Sequence, residues 1–277
     1  DNTARLENPD AEPVPNEAVV RTLLHFFAVF DPEIEPTPEE LVAAIMDWID
    51  VDDDYSDYVG AEGAESDFYE QSGVPYPCKN GPMDSIEELL LIRGFRPEIY
   101  FGDPEKVQLP LTEYLTVHGE PGGAINLNSA HPFVLDAIGL ALGESGEAQV
   151  QGDFREAVLN ARFTEGGFQD VSDLEALQII TPPPTSEQRP QNEENIARQE
   201  MLYRYFTVSS NAFRIQGDAI AGDTKVRVLA YVYRNPAFFT GDITGGQGVP
   251  PQGAPEEQLG LPVPEEPFRV LEWKVIR

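Results

Sequence analysis

Apolar positions change their spacing once along this chain, from helical in the first two thirds to alternating near the end. Leu23, Leu24, Phe27 and Phe30 recur at three- and four-residue steps, which predicts an amphipathic helix. Thr37-Pro38-Glu39-Glu40 predicts the start of the next, with a capping threonine, a first-turn proline and a glutamate three residues after the cap. Its apolar stripe is Leu41, Ala44, Ile45 and Trp48. Ser85-Ile-Glu-Glu88 repeats the capping signature before Leu89, Leu90 and Ile92, and Gly94 stands where that helix would stop. Asn128-Ser129-Ala130 precedes a helix through Phe133, Val134, Leu135 and Ile138, and Ser172-Asp173-Leu174-Glu175 opens another. These are short helices joined by long loops.

The last part reads as strands. From Thr224 to Arg234, Val226, Val228, Ala230 and Val232 alternate with Arg227, Leu229, Tyr231 and Tyr233. Phe268 to Ile276 alternates too, with Leu271, Trp273 and Val275 on one face, and Phe213 and Ile215 begin an earlier strand that turns at Gly222-Asp223. Residues 241–267 hold six glycines and six prolines, which predicts a loop. The run 181–195 is rich in proline and polar residues and reads as a linker, and a helix over Asn195–Tyr205 leads from it into the sheet. The fold class is therefore α+β, with a large helical part placed before a small antiparallel sheet.

Composition sharpens this division. The chain of 277 residues carries 49 acidic and 18 basic side chains, a formal charge of −31. Residues 31–70 contain 15 of the acids and no lysine or arginine, whereas residues 201–277 hold 8 acids and 8 bases and cancel. Such a field repels phosphate backbones and anionic lipid, and favours divalent cations or basic partners. An apolar content of 41% with 10% aromatics supports a folded core in spite of the charge. One cysteine, Cys78, rules out a disulfide within the chain and a cysteine-rich zinc site, and it reads as a buried or idle thiol. No stretch reaches the ~18–20 apolar residues needed to span a bilayer. The chain opens on Asp1-Asn2-Thr3 without a methionine or leader, so it is expected to be a processed product or a fragment whose targeting segment has been removed.

The sharpest candidate for chemistry is Asp47-Trp-Ile-Asp50-Val-Asp52-Asp53-Asp54, followed by Glu62 and Glu65. Asp50, Asp52 and Asp54 sit two apart, as in the first half of an EF-hand loop, but Tyr55 stands where glycine is required and Glu62 falls one place late. It is not an EF-hand; a solvated acidic loop at a helix end is the plain alternative. Crowded carboxylates without a basic neighbour would nonetheless be relieved by a hard cation. A second pattern, Ile125 to Ala130 and then Phe154–Arg162, Gly166-Gly167-Phe168 and Ser172-Asp173-Leu174, resembles a helix-hairpin-helix DNA-binding module. Its hairpin would be Ala141–Glu147, which is acidic and lengthened, so DNA binding is not expected. No nucleophile elbow, phosphate loop or zinc-protease signature is present. His25, His118 and His131 are expected to be structural. Tyr55, Tyr58, Phe68, Tyr69 and Tyr76 would form either core or a carbohydrate platform.

Several motifs together resemble one family. They are Asp47-Trp-Ile-Asp50-x-Asp52, Gly60-Ala-Glu62, Tyr69, Asn80-Gly-Pro82, Ser85-x-Glu-Glu-Leu89 with Gly94, Tyr114-Leu-Thr116 and Ile125-Asn-Leu-Asn-Ser-Ala130. In this order they are similar to the minor pseudopilin K of type II secretion over about residues 40–140, and Leu271-Glu-Trp273 adds to the likeness. The resemblance implies a pilin-like antiparallel sheet packed on an N-terminal helix, largely absent here, with a large all-α insertion domain. It divides the chain into the start of the pilin-like part at 1–15, the insertion at 16–195 and the sheet part at 196–277. It further implies a non-enzymatic subunit that caps the periplasmic pseudopilus tip with the I and J minor pseudopilins. The full-length protein would be anchored in the inner membrane, and calcium would sit in the helical domain. The expected calcium ligands are Asp50, Asp52, Asp54 and Glu62, with Asp47, Asp53 and Glu65 as close alternatives. A helix-hairpin-helix nucleic-acid module and a free calcium-binding periplasmic module are the competing readings.

Overall fold

The computed structural model describes residues 16–276 apart from 107, 120, 146–147, 165, 182–198, 223 and 236–266. Helix α1 (Glu17–Phe30) starts at Asn16, whose side chain accepts from the Val19 N–H. Helix α2 (Pro38–Ile49) carries the full capping box that its sequence predicts: the Glu40 N–H donates to Thr37 Oγ1, and the Thr37 N–H donates to Glu40 Oε2. Then follow α3 (Ser66–Glu70), a 3-10 helix (Ile86–Leu91), α4 (Pro97–Phe101), α5 (Pro132–Ser145), α6 (Phe154–Thr164) and α7 (Asp173–Ala176). Residues 199–205 are also helical. The capping box at Ser85 does form, but it opens the 3-10 helix rather than an α-helix. Three residues past its end, Gly94 at φ +89 passes under Pro36, whose Cγ would lie 2.8 Å from a Cβ at that position. The expected hairpin at 141–147 is also different: residues 141–145 are the last turn of α5. Leu135, Ile138, Ala141 and Leu142 are all buried, so the apolar stripe carries the helix past Gly143.

Two cores fill the helical part. The first gathers Phe26, Phe27 and Phe30 of α1, Leu41, Ala44 and Trp48 of α2, and Tyr69, Leu89, Phe95, Tyr100 and Leu111. The second gathers Leu135, Ile138 and Leu142 of α5, Phe154 and Val158 of α6, and Phe168, Leu174, Met201, Leu202 and Phe206. Two-residue strands clip this second core: β1 (Ile125–Asn126) pairs in parallel with β4 (Phe206–Thr207), and β2 (Gln149–Val150) pairs antiparallel with β3 (Ile180–Thr181).

The terminal sheet has the order β5-β6-β7, all antiparallel, from β5 (Ala212–Ala221), β6 (Thr224–Arg234) and β7 (Phe268–Ile276). Strand β6 keeps the alternation and limits that its sequence predicts. A bulge at Tyr231/Val232 changes β7: Val270 rather than Leu271 stands opposite Val232 and shares a face with Trp273 and Val275. One face of the sheet is thus Phe213, Ile215, Val228, Ala230, Val232, Val270, Trp273 and Val275, and it is open, with Trp273 67% exposed. The other face meets the helical part. Arg214 pairs with Glu113 at 2.6 Å, Lys274 pairs with Glu87, and His118 lies 3.3 Å from Glu272 with its ring against Tyr231. No described helix is long and apolar enough to cross a membrane. The expected linker over 182–195, most of the loop over 241–267 and the segment 1–15 lie outside the described residues.

Candidate metal centre

The acidic run is organised by the end of α2. Asp47 lies with Leu41, Ala44 and Trp48 on the buried face of that helix, so its carboxylate enters the interior with no exposure at all. Its Oδ1 accepts from the Ser56 N–H at 2.9 Å; the Ala64 N–H also acts on the carboxylate, but its Oδ2 makes no well-formed hydrogen bond among the described residues. Asp50 is the C-cap of α2, held through its own N–H to the Met46 carbonyl, and its Oδ1 is likewise buried and unpartnered. The chain then makes an exposed excursion and returns at Gly63-Ala64-Glu65 across α2. Glycine is required for this approach, because a Cβ at residue 63 would lie 2.1 Å from Asp47 Oδ2 and 2.8 Å from the Ala43 carbonyl. Glu65 occupies the N-cap of α3 without making a side-chain cap; it is 1% exposed and neither of its carboxylate oxygens has a described partner.

One oxygen from each of Asp47, Asp50 and Glu65 lies within 4.8 Å of the others. Three carboxylates brought this close out of water are costly unless something neutralises them. Burial, reinforced by the neighbouring carboxylates, pushes Asp47 up to about 6, Asp50 to about 7 and Glu65 to about 8. Hard oxygen donors, no thiolate or imidazole among them, and buried lone pairs without hydrogen-bond donors together fit a calcium-like cation.

Of the residues expected from the EF-hand-like spacing, Asp50 belongs to this trio. Asp52 and Asp54 are exposed, and Asp52 Oδ1 accepts from the Asp54 N–H at 3.0 Å. Glu62 is exposed as well and faces Arg93 at 3.9 Å. Asp47 and Glu65, the alternatives, are the two that join Asp50; the third alternative, Asp53, accepts instead from Asn80 and Ser66. The surroundings are packed rather than platform-like around Tyr69, which is buried between Trp48 (5.3 Å, edge-on) and Tyr76 (5.2 Å, stacked). Tyr55, Tyr58 and Phe68 remain exposed, with the Arg93 guanidinium 4.9 Å over the Phe68 ring. Cys78 is buried beside the trio, its thiol donating to the Asp47 carbonyl at 3.5 Å, and burial pushes it up to about 11. Lys79 clamps Asp84 and Glu88, and Glu88 accepts from Trp48 Nε1 at 3.1 Å, which fixes the end of α2.

Residues 3–101 match the family model described as Type II secretion system (T2SS), protein K. Over 62 residues the chain is 40% identical to a type II secretion system protein K from Pectobacterium carotovorum subsp. carotovorum. That stretch is 22% of this chain and 18% of the relative's length. The fold is similar, at a TM-score of 0.58 and 17% identity, to a chain in the crystal structure of the GspK-GspI-GspJ complex from the enterotoxigenic Escherichia coli type 2 secretion system. The likeness covers 96% of this chain and 74% of that one.

Proposed function

We propose that this chain, which carries the first domain of type II secretion system protein K and the fold of a chain from the GspK-GspI-GspJ complex, is the K-type minor pseudopilin. It would act as a structural subunit rather than a catalyst, capping the periplasmic tip of the pseudopilus together with I- and J-type partners. The observation that carries this reading is the likeness of fold over 96% of the chain.

Physical features of the molecule support it. A pilin-type filament grows by stacking N-terminal helices, so a subunit bearing a helical part this large leaves no room for another above it. The open apolar face of the terminal sheet is one helix wide, at three strands ~4.8 Å apart, and suits the N-terminal helix of a pilin-like fold. That helix would also anchor the full-length protein in the inner membrane. Within the helical part, calcium held by Asp47, Asp50 and Glu65 would close the loop from 50 to 66 against α2. Asp52, Asp54 and Glu62 would add to the negative field that draws the ion in.

Mixing the chain with the soluble domains of the I and J minor pseudopilins of the same source tests the assembly. A single co-eluting species at 1:1:1 is expected. A chain that elutes alone, or forms long polymers by itself, contradicts the reading.

A further inference from the structure

We infer that Asn80 lends its side-chain carbonyl oxygen to the same cation as Asp47, Asp50 and Glu65, and so clips the segment 78–81 to the acidic loop. This rests on the calcium reading given above. The segment lies along the trio. Cys78 touches the Asp47 and Ala64 carbonyls through its thiol and donates its N–H to Ser66 Oγ at 3.2 Å, beside Glu65. The Gly81 N–H reaches the carbonyl of Trp48, next to Asp47, at 3.5 Å. Between them, Asn80 Nδ2 donates to the Asp52 carbonyl at 2.8 Å and to Asp53 Oδ1 at 3.1 Å.

Those two bonds decide which way the amide points. Both partners are acceptors, so the nitrogen must face them, and a flipped amide would set its oxygen against a carbonyl and a carboxylate. The oxygen is therefore turned away from Asp52 and Asp53. There it is buried, and no donor among the described residues meets it. Like the buried oxygens of Asp47, Asp50 and Glu65, it is an acceptor left unsatisfied, and it is carried on the segment that runs along that trio. A buried carbonyl left unmet is costly, and a hard cation would meet this oxygen and the ionised carboxylates together. Asn80 also holds a left-handed backbone, φ +47, which glycine adopts more easily. A neutral amide oxygen raises the number of ligands without adding to the repulsion among three carboxylates. That favours calcium, which takes six to eight oxygens, over magnesium, which demands a tight octahedron and keeps its waters.

The test is Asn80→Gly in the 277-residue chain, with calcium and magnesium titrated by calorimetry and melting followed with calcium or chelator. Glycine relieves the backbone and removes the carbonyl oxygen, but it also removes the two Nδ2 hydrogen bonds to Asp52 and Asp53. The side-chain carbonyl carbon resonance of Asn80 in the parent chain is therefore followed on calcium addition as well. The expected result is a calcium affinity about tenfold weaker or worse, the preference over magnesium narrowed, and an Asn80 carbonyl resonance in the parent chain that shifts on calcium addition. Weakened affinity with an unmoved resonance assigns the loss to the Nδ2 bonds and overturns the inference. A fall in chelator with calcium affinity retained would assign Asn80 a merely structural role and overturn the inference. If the parent chain itself ignores calcium, the cation site falls and the inference with it; a parent that responds while the variant responds equally sinks only the role of Asn80. Should the variant fail to fold, the side-chain carbonyl carbon resonance of Asn80 in the parent chain decides. It shifts on calcium addition if ligated and stays in place if not.

Discussion

Calcium should matter more to this protein as the pH rises, and the size of that effect follows from the buried trio. An ordinary Glu titrates near 4.5, and burial holds Glu65 near 8; Asp47 and Asp50 move from 3.8 to about 6 and about 7. Without a cation, the folded state thus binds these protons more tightly than the unfolded chain. Stability is greatest below the unfolded values and is lost as pH climbs from about 4 through about 8. A displacement of three units is worth ~4 kcal/mol for one group; screening by solvent around the loop and sharing of charge among the three leave roughly 2 kcal/mol. For a domain of this size that is about 4–8 °C in Tm. A bound cation favours the ionised carboxylates and reverses the trend. Melting curves at pH 5, 6, 7 and 8, each with millimolar calcium or with chelator, should therefore show a gap that is small at pH 5 and widens to several degrees at pH 8. Parallel curves across that range, or a gap that closes as pH rises, would refute the reasoning.

Three further outcomes follow from the same geometry. Gly63→Ala puts a methyl group into Asp47 Oδ2 and the Ala43 carbonyl, and should cost about 2–4 kcal/mol in urea unfolding; an unchanged midpoint would show that the loop passes α2 with room to spare. Cys78, buried against the Asp47 carbonyl, should react slowly with a thiol reagent at pH 8 in calcium and about tenfold faster or more in chelator; equal rates would disconnect the thiol from the cation site. Trp273→Ser should leave the Tm of the 277-residue chain within about 1 °C, because the ring is already open to solvent. A large loss of stability in the lone chain would show instead that this face is already covered.

What the sequence conveyed well was local. The alternation from Thr224 to Arg234 coincides with β6, and the box at Thr37 forms as written, because period and capping chemistry act within a few residues. The box at Ser85 was also legible, but a cap marks where a helix begins and not which kind of helix follows, and here it opens a 3-10 helix. The face of β7 was displaced by a bulge that no pattern in Phe268–Ile276 announces. The acidic loop stood out as a candidate cation site, yet spacing alone favoured Asp50, Asp52 and Asp54 over the trio that the fold gathers. Two signals pointed to the others. Asp47 continues the buried stripe of Leu41, Ala44 and Trp48, and Gly63 is the small residue that lets Glu65 reach it from a distant turn. The short pairings β1–β4 and β2–β3 were not legible, since two residues carry no period.

The proposed capping role is tested most directly by locating this subunit on assembled pseudopili. With an antibody against the helical part and pseudopili sheared from cells overproducing the major pseudopilin, electron microscopy should show label at one end of each filament, one site per filament. Label spread along the filament shafts would contradict the account, because it would mean that the subunit stacks within the filament instead of ending it.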